Sequence, residues 1–202
     1  MEQIIEYFHY NSYVTLTYFF ASLAVLILNT LTFGAANKYV FSTEKKSFLN
    51  PMTYIRMFTH VLGHSDWNHF SGNFLKILLL GPLIEEKYGS IELLIMILVT
   101  ALVTGIVNHI KGDSRLCGAS SVAFMLIVLS AFVNIVDNKI PLTLVLIILF
   151  YIIDEVKDLR KKDNIAHYGH IAGAFCGGVF GFLCVNQAFM EGLRNLISKF
   201  VG

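Results

Sequence analysis

The stretch that decides the fold is "RLCGASSVAFMLIVLSAFV", residues 115–133. Its single charge, Arg115, is followed by 21 uncharged residues that end at Val136, which is enough for a helix that crosses a bilayer. Two small hydroxyl residues, Ser120 and Ser121, follow Gly118 near its start. The stretch therefore predicts a transmembrane helix whose first turn is polar and small.

The composition extends this prediction to the whole chain. Of the 202 residues, 55% are apolar and 14% are charged, and the mean hydropathy is +0.65. Soluble domains have about 25% charged residues, so the composition indicates a membrane protein. The net charge of +1 gives no reason to expect a nucleic-acid partner. The N-terminus lacks a cleavable-signal pattern, so we expect the first apolar run to be retained.

The charges that bound the apolar runs predict six membrane spans. They lie approximately at residues 13–33, 68–84, 92–111, 116–136, 140–156 and 165–187. No linker separates them, so we predict an all-α membrane protein. Its fold would be a compact six-transmembrane-helix bundle that forms a single domain over residues 1–202. The first loop, 34–67, mixes apolar and basic residues and is expected to lie in the membrane interface.

Polar residues concentrate at the starts of the even-numbered spans. The second span opens with "HSDWNHFSGNF" (64–74), the fourth with "GASS" (118–121) and the sixth with "NIAHYGHIAGAFCGG" (164–178). These spans run in the same direction, because one return helix separates each pair. Their polar residues should therefore form one layer near one membrane face. Such residues are costly in lipid and indicate a functional site.

Helical spacing suggests which of these side chains meet. His170, Gly173 and Gly177 share one face of the sixth span, and glycines allow a neighbouring helix to approach closely. If that face packs on the fourth span, His170 reaches Ser120 and Phe124 packs against its imidazole ring. We prefer His170 to His167 as the partner of Ser120, because only His170 has glycines at both +3 and +7.

A serine beside a neutral imidazole can act as a nucleophile, because the imidazole takes its proton. The Ser120 amide and the side chains of His69 and Asn73, which are i and i+4, could donate to the oxyanion that forms. No carboxylate is placed to orient His170. We therefore expect a Ser–His dyad rather than a triad.

These elements together resemble the rhomboid intramembrane serine proteases. The matching pieces are "HSDWNHFSGN" (His-x4-His-x3-Asn), "GPLIEEKYGS", "GAS", "GHIAGAFCGG" and the arginine before the second span, and they cover roughly residues 50 to 185. The resemblance implies Ser120 as nucleophile, His170 as base, and an oxyanion hole made by His69, Asn73 and the Ser120 amide. It implies supporting or structural places for Gly118, Phe124, Gly173, Gly177, Glu85, Arg56 and His64.

The function that the resemblance implies is hydrolysis of peptide bonds in or near transmembrane helices of single-pass or multi-pass membrane proteins. The partners are then these substrates and the lipid bilayer, without cofactor, metal or nucleic acid. The alternative is a catalytically inactive rhomboid-like protein that binds transmembrane helices. A metal site is not favoured, because no His-Glu-x-x-His pattern occurs and few carboxylates join the polar layer.

Three residues depart from the family pattern. Ser121 stands where a glycine is usual, and Phe124 stacks but lacks the usual hydroxyl group. Lys76 lies inside a span, where it could extend to the interface, pair with a carboxylate such as Glu155, or line the gate between spans two and five. His64 has two possible interpretations, a histidine in the membrane interface or a contact with the substrate or a loop.

The orientation in the membrane has two conflicting indications. The loops and flanks on the side of the polar layer carry most of the Lys and Arg residues, which by the positive-inside rule puts the layer on the cytoplasmic side. The resemblance puts it near the extracytoplasmic face of the cell membrane. We adopt the second orientation, since a charge bias is only a tendency.

Overall fold

The computed structural model describes residues 10–45, 47–111, 115–133 and 167–186, with isolated positions between 142 and 149 and between 191 and 199. Within this part of the chain the regular structure is helical, and one isolated β-bridge pairs Thr43 with Leu116. The elements, in order, are α1 (Tyr13–Leu31), α2 (Ala35–Tyr39), α3 (Pro51–Thr59), a 3₁₀ helix (His60–Leu62), α4 (Trp67–Tyr88), α5 (Ser90–Lys111), α6 (Ser120–Ser130) and α7 (His167–Val185).

Three helices of the described part, α1, α5 and α7, are long and apolar enough to cross a membrane, and α6 is a shorter apolar helix. Large apolar side chains such as Phe20, Leu79 and Phe182 are exposed on the outer faces of α1, α4 and α7. Exposed apolar surface of this kind suits contact with lipid. The predicted class, an all-helical membrane protein, agrees with these features.

The predicted spans agree with the helices to different degrees. Spans 13–33, 68–84 and 92–111 coincide with α1, α4 and α5, and span 165–187 contains α7. The predicted fourth span, approximately 116–136, contains α6, but its first residues are not helical. Leu116 instead exchanges two backbone hydrogen bonds of 2.8 Å with Thr43, so α6 begins at Ser120. Span 140–156 lies outside the described residues apart from isolated positions, and the count of six stays a prediction.

The core of the described region surrounds α6. Its side chains are buried on most of its circumference, as expected of a helix that is apolar all round. Phe74 from α4, Ala101 from α5 and Cys176 from α7 belong to the same buried cluster as Met125 of α6. The core therefore holds the beginning of α6 at a fixed position among three other helices.

Arg56 joins the first loop to the segment before α6. Its side chain is buried, with Nε donating to the carbonyl of Tyr39 at 2.8 Å and Nη2 donating to that of Lys38 at 3.0 Å. It also pairs with Glu44 at 3.3 Å, and Glu44 pairs with Arg115 at 3.2 Å. Together with the β-bridge, this network fixes the loop that leads to Ser120.

Glu85, near the end of α4, holds the start of α1. Its carboxylate accepts from the amides of Val14 (2.9 Å) and Thr15 (3.1 Å), from the Thr15 hydroxyl (2.9 Å) and from the Ser90 hydroxyl (2.7 Å). The first amides of a helix need outside acceptors, and Ser12 at the N-cap makes no side-chain capping bond. Glu85 supplies this capping from another helix and ties α1, α4 and α5 together.

Candidate active site

Ser120 and His170 meet where α6 begins. His170 Nε2 lies 3.1 Å from Ser120 Oγ, within hydrogen-bond distance. Gly118 precedes the helix with φ +127°, a backbone conformation that favours glycine because other residues are strained there. The turn at Gly118 allows α6 to begin at Ser120, so the Ser120 amide is among the first N–H groups of the helix, which lack intrahelical acceptors.

The glycine face of α7 lies directly on α6. A Cβ atom added to Gly173 would collide with the carbonyl oxygen of Ser121, and one added to Gly177 would collide with that of Met125. No other residue would allow the two backbones to approach this closely. This close approach is what brings His170, rather than His167, next to Ser120.

Phe124 supports the imidazole of His170 from the next turn of α6. Their ring centroids are 4.6 Å apart, at an interplanar angle of 47°. Lys76 of α4 approaches the same phenyl ring, with Nζ 5.9 Å from its centroid. Phe124 thus contacts both the histidine beside Ser120 and a cation inside the second predicted span.

His69 and Asn73 converge on the backbone just before Ser120. A Cβ atom added to Gly118 would lie 2.6 Å from His69 Nε2 and 3.7 Å from Asn73 Nδ2. Two side-chain nitrogen atoms on one face of α4 therefore face the same small space beside the start of α6. A side chain at position 118 would fill this space.

Two residues before α4, Ser65 and Asp66, hold His69. Asp66 caps the helix, with Oδ1 accepting the His69 amide at 2.9 Å. Ser65 Oγ donates to Asp66 Oδ2 at 2.6 Å and lies 3.2 Å from His69 Nδ1. Because the Ser65 proton is directed at Asp66, His69 Nδ1 acts as the donor to Ser65. The hydrogen bonds from the Ser65 hydroxyl and the His69 amide hold the pKa of the Asp66 carboxyl below its usual range.

The sequence interpretation missed Ser65 and Asp66, although a signal for Asp66 exists. Aspartate immediately before a predicted helix is a preferred N-cap residue, and its carboxylate accepts from the third residue of the helix. Here that third residue is His69. The contact between Ser65 and the His69 ring has no comparable sequence signal.

His64 is fully buried, so the structure favours a contact with the loop before α6 over a position in the membrane interface. Its Nε2 accepts from the Ala119 amide at 3.3 Å and lies 3.3 Å from Asn73 Nδ2, and its Nδ1 lies 3.2 Å from the Leu62 carbonyl. Because Nε2 accepts, the proton of the neutral ring is on Nδ1. Burial, with a smaller effect of neighbouring His69, lowers the pKa of His64 to about 4.

Ser121 occupies a buried position in the first turn of α6. In the described part of the chain, its Oγ has no hydrogen-bond partner. An unsatisfied buried hydroxyl costs about 1–3 kcal/mol. The residue that departs from the usual glycine is thus accommodated beside Ser120, at a cost in stability.

The described residues contain no group of three or more His, Cys, Asp or Glu side chains that could hold a metal ion. The three cysteines, Cys117, Cys176 and Cys184, are free thiols.

Comparison with known proteins relates this arrangement to a family. Residues 51–187 match the family model of the rhomboid domain. Over 136 residues the chain is 25% identical to rhomboid-like protein 11, chloroplastic, of Arabidopsis thaliana, covering 59% of this chain and 49% of that protein. Over 174 residues it is 24% identical to rhomboid protease GluP of Bacillus subtilis (strain 168), covering 82% of this chain and 34% of that protein.

The chain thus spans half or less of the length of these two relatives. The family model, by contrast, covers most of the chain and includes α3, α4, α5, α6 and α7. The four predicted catalytic and oxyanion-hole residues, Ser120, His170, His69 and Asn73, lie inside the matched segment. The chain belongs to the rhomboid family.

Proposed function

We propose that this protein is an intramembrane serine endopeptidase that cleaves membrane-protein substrates in or near their transmembrane helices. The observation that carries the proposal is the 3.1 Å distance between His170 Nε2 and Ser120 Oγ. A serine and a histidine at this distance can share a proton, and both lie on apolar helices of a membrane protein. A name that includes "protease" for the relative GluP supports the same reaction class.

The proposed reaction uses Ser120 and His170 as a dyad. Ser120 Oγ attacks the carbonyl carbon of the scissile peptide bond while its proton passes to His170 Nε2. The imidazolium then donates this proton to the leaving amine nitrogen, which leaves an ester on Ser120. A water molecule, deprotonated by His170, attacks the ester, and the imidazolium returns this proton to Ser120 Oγ as the acid product leaves. Phe124, packed against the imidazole, limits the positions that the ring can adopt.

The oxyanion hole in this proposal consists of the Ser120 amide and the side chains of His69 and Asn73. Support comes from the two side-chain nitrogen atoms that face Gly118. Removal of one such donor typically lowers kcat about 10²–10³-fold. His69 Nε2 can donate to the oxyanion if the ring is an imidazolium, or if Ser65 turns its hydroxyl from Asp66 to His69 Nδ1.

The substrate must offer its peptide bond to a site within helices. A transmembrane helix has all its backbone groups hydrogen-bonded, so it must unwind locally before Ser120 can attack. Substrates with Gly, Pro or other small residues near the cut should therefore be preferred. We further propose the six-span, single-domain fold in the cell membrane, with the site near the extracytoplasmic face. A cytoplasmic site is indicated instead if alkaline phosphatase fused after Gly202 is active.

The proposal is tested by cleavage of a model transmembrane helix in liposomes, with the products identified by mass spectrometry. Ser120→Ala and His170→Ala should each lower the rate by at least about 10³-fold, as removal of a nucleophile or its base does. Ser130→Ala is the matched control, because Ser130 is a hydroxyl residue of the same helix whose Oγ, within the described residues, donates to the carbonyl of Ile127. We expect it to retain wild-type cleavage.

Two outcomes contradict the proposal. The first is cleavage by Ser120→Ala at the wild-type rate, which would show that Ser120 is not the nucleophile. The second is tight binding of helices by the wild-type protein without cleavage of any of them, which would support the catalytically inactive rhomboid-like protein.

A further inference from the structure

Lys76 is a cation in the interior of a predicted membrane span. It lies nine residues after Trp67, where α4 begins, which is about 13 Å along the helix axis. Its side chain is exposed rather than packed in the core. An ionisable residue at such a depth is costly and suggests a functional role.

The side chain of Lys76 is directed at the candidate active site. Asn73 and His69 precede it by three and seven residues, so all three share one face of α4. Lys76 Nζ lies 5.9 Å from the centroid of Phe124, and Phe124 lies 4.6 Å from the ring of His170. One aromatic ring therefore separates this ammonium group from the proposed catalytic base.

Structural roles account poorly for this lysine. Among the described residues, the ion pairs are those of Arg56 and Arg115 with Glu44, and no carboxylate pairs with Lys76. The cation–π contact with Phe124 compensates only part of the desolvation of an ammonium group. The Lys76 ammonium group also does not reach the membrane interface at the start of α4. That start is about 13 Å away along the helix axis, and a lysine side chain spans about half of this distance.

Lys87 shows what an ordinary lysine looks like on the same helix. It lies in the last turn of α4, where the helix dipole favours a cation, and it is exposed. Lys76 lies in mid-helix, where the dipole gives no such advantage. The difference leaves Lys76 without a carboxylate partner among the described residues, and Glu155, the partner that the sequence suggests, lies outside them.

We propose that Lys76 determines specificity by pairing with an Asp or Glu side chain of the substrate within about three residues of the scissile bond. This inference rests on the proposed protease function. An unwound substrate extends about 3.3 Å per residue. When its scissile bond lies at the Ser120 hydroxyl, a substrate residue up to three positions away can therefore lie beside the Phe124 ring. A substrate without the carboxylate leaves the ammonium group unpaired, and this penalty makes such sites selective.

The test compares ratios of cleavage rates in liposomes. A model transmembrane substrate carries Asp, Asn or Lys in turn at each of the three positions on either side of the cut. Wild-type protein should cleave the Asp substrate about 10-fold faster than the Asn substrate at one position or more, as expected of a charge pair shielded from water. Lys76→Met should abolish the preference, Lys76→Arg should keep it, and Lys76→Glu should favour the Lys substrate.

Lys87→Met is the matched control, since it removes an exposed lysine of the same helix outside the site. It should keep the wild-type ratio of Asp to Asn cleavage. Because each ratio is taken within one variant, a general loss of activity cancels. Covalent labelling by a fluorophosphonate shows that each variant is folded with a reactive serine.

Three outcomes would overturn the inference. One is equal cleavage of Asp and Asn substrates by the labelled wild-type protein at every position. Another is an unchanged preference in Lys76→Met, and a third is equal loss of preference in Lys87→Met. If the wild-type protein is neither labelled nor active on any substrate, the proposed function itself is wrong. The two failures are therefore distinguishable.

Discussion

Gly173→Ala should separate α7 from α6 and thereby move His170 away from Ser120. The added methyl group would collide with the carbonyl oxygen of Ser121, which belongs to the backbone of α6 and cannot rotate away. A carbon atom and a carbonyl oxygen need about 3.3 Å, so the two helices must shift apart locally by about 1 Å. A shift of this size would stretch the 3.1 Å contact between His170 and Ser120 beyond hydrogen-bond distance.

The expected consequence is a loss of about 100-fold in the cleavage rate, which is the usual effect of a 1 Å misplacement of a catalytic group. The assay is cleavage of the model transmembrane helix, together with the rate of fluorophosphonate labelling. Gly178→Ala is the control on the same helix, because a Cβ atom there would meet nothing within 4 Å. It should retain wild-type activity.

The reasoning would be refuted if Gly173→Ala kept more than about a third of the wild-type rate, because the close packing would then be unnecessary for the pairing of Ser120 and His170. Equal losses in Gly173→Ala and Gly178→Ala would refute it as well, since an effect common to both positions, rather than the contact at Gly173, would then explain the losses.

The remaining predictions concern the residues around the site. Glu85→Gln should lower the free energy of unfolding by about 3 kcal/mol, because it removes the charge that accepts four hydrogen bonds. Denaturation in micelles measures this change, and Glu86→Gln, at an exposed position of the same helix, is the neutral control. Ser121→Ala should leave the stability unchanged or raise it by about 1 kcal/mol, since it removes an unsatisfied buried hydroxyl, and a large loss would show that the hydroxyl has a partner. Stability should fall as the pH drops from 6.5 towards about 4, because His64 takes up a proton in the unfolded chain but stays neutral when folded. His64→Gln, which keeps an acceptor, should flatten this dependence, and an equally steep curve in that variant would contradict the assignment.

The sequence was sufficient to predict much of the helical fold, because charges and apolar runs mark membrane spans by simple length requirements. It also predicted which side chains share a helix face, and the two glycines of α7 indicated where a neighbouring backbone approaches. His170 beside Ser120 followed from these local rules combined with the alternating direction of the spans.

Contacts between segments distant in sequence were not predictable in this way. The bridge of Thr43 to Leu116, which shortens α6, depends on a loop that carries no periodic pattern. Glu44 lies in a loop without a sequence motif that marks it, although it pairs with two arginines. The burial of His64 likewise depends on how the first loop folds over α4, which no local spacing determines.

The identity of the reactive residue tests the central claim most directly. The protein in liposomes is treated with a fluorophosphonate, digested and analysed by mass spectrometry to locate the adduct. The account predicts one adduct on Ser120 Oγ, strongly reduced in His170→Ala because the serine then lacks its base. An adduct on Ser121 or another hydroxyl residue, or labelling of Ser120 that is unaffected by the loss of His170, would contradict it.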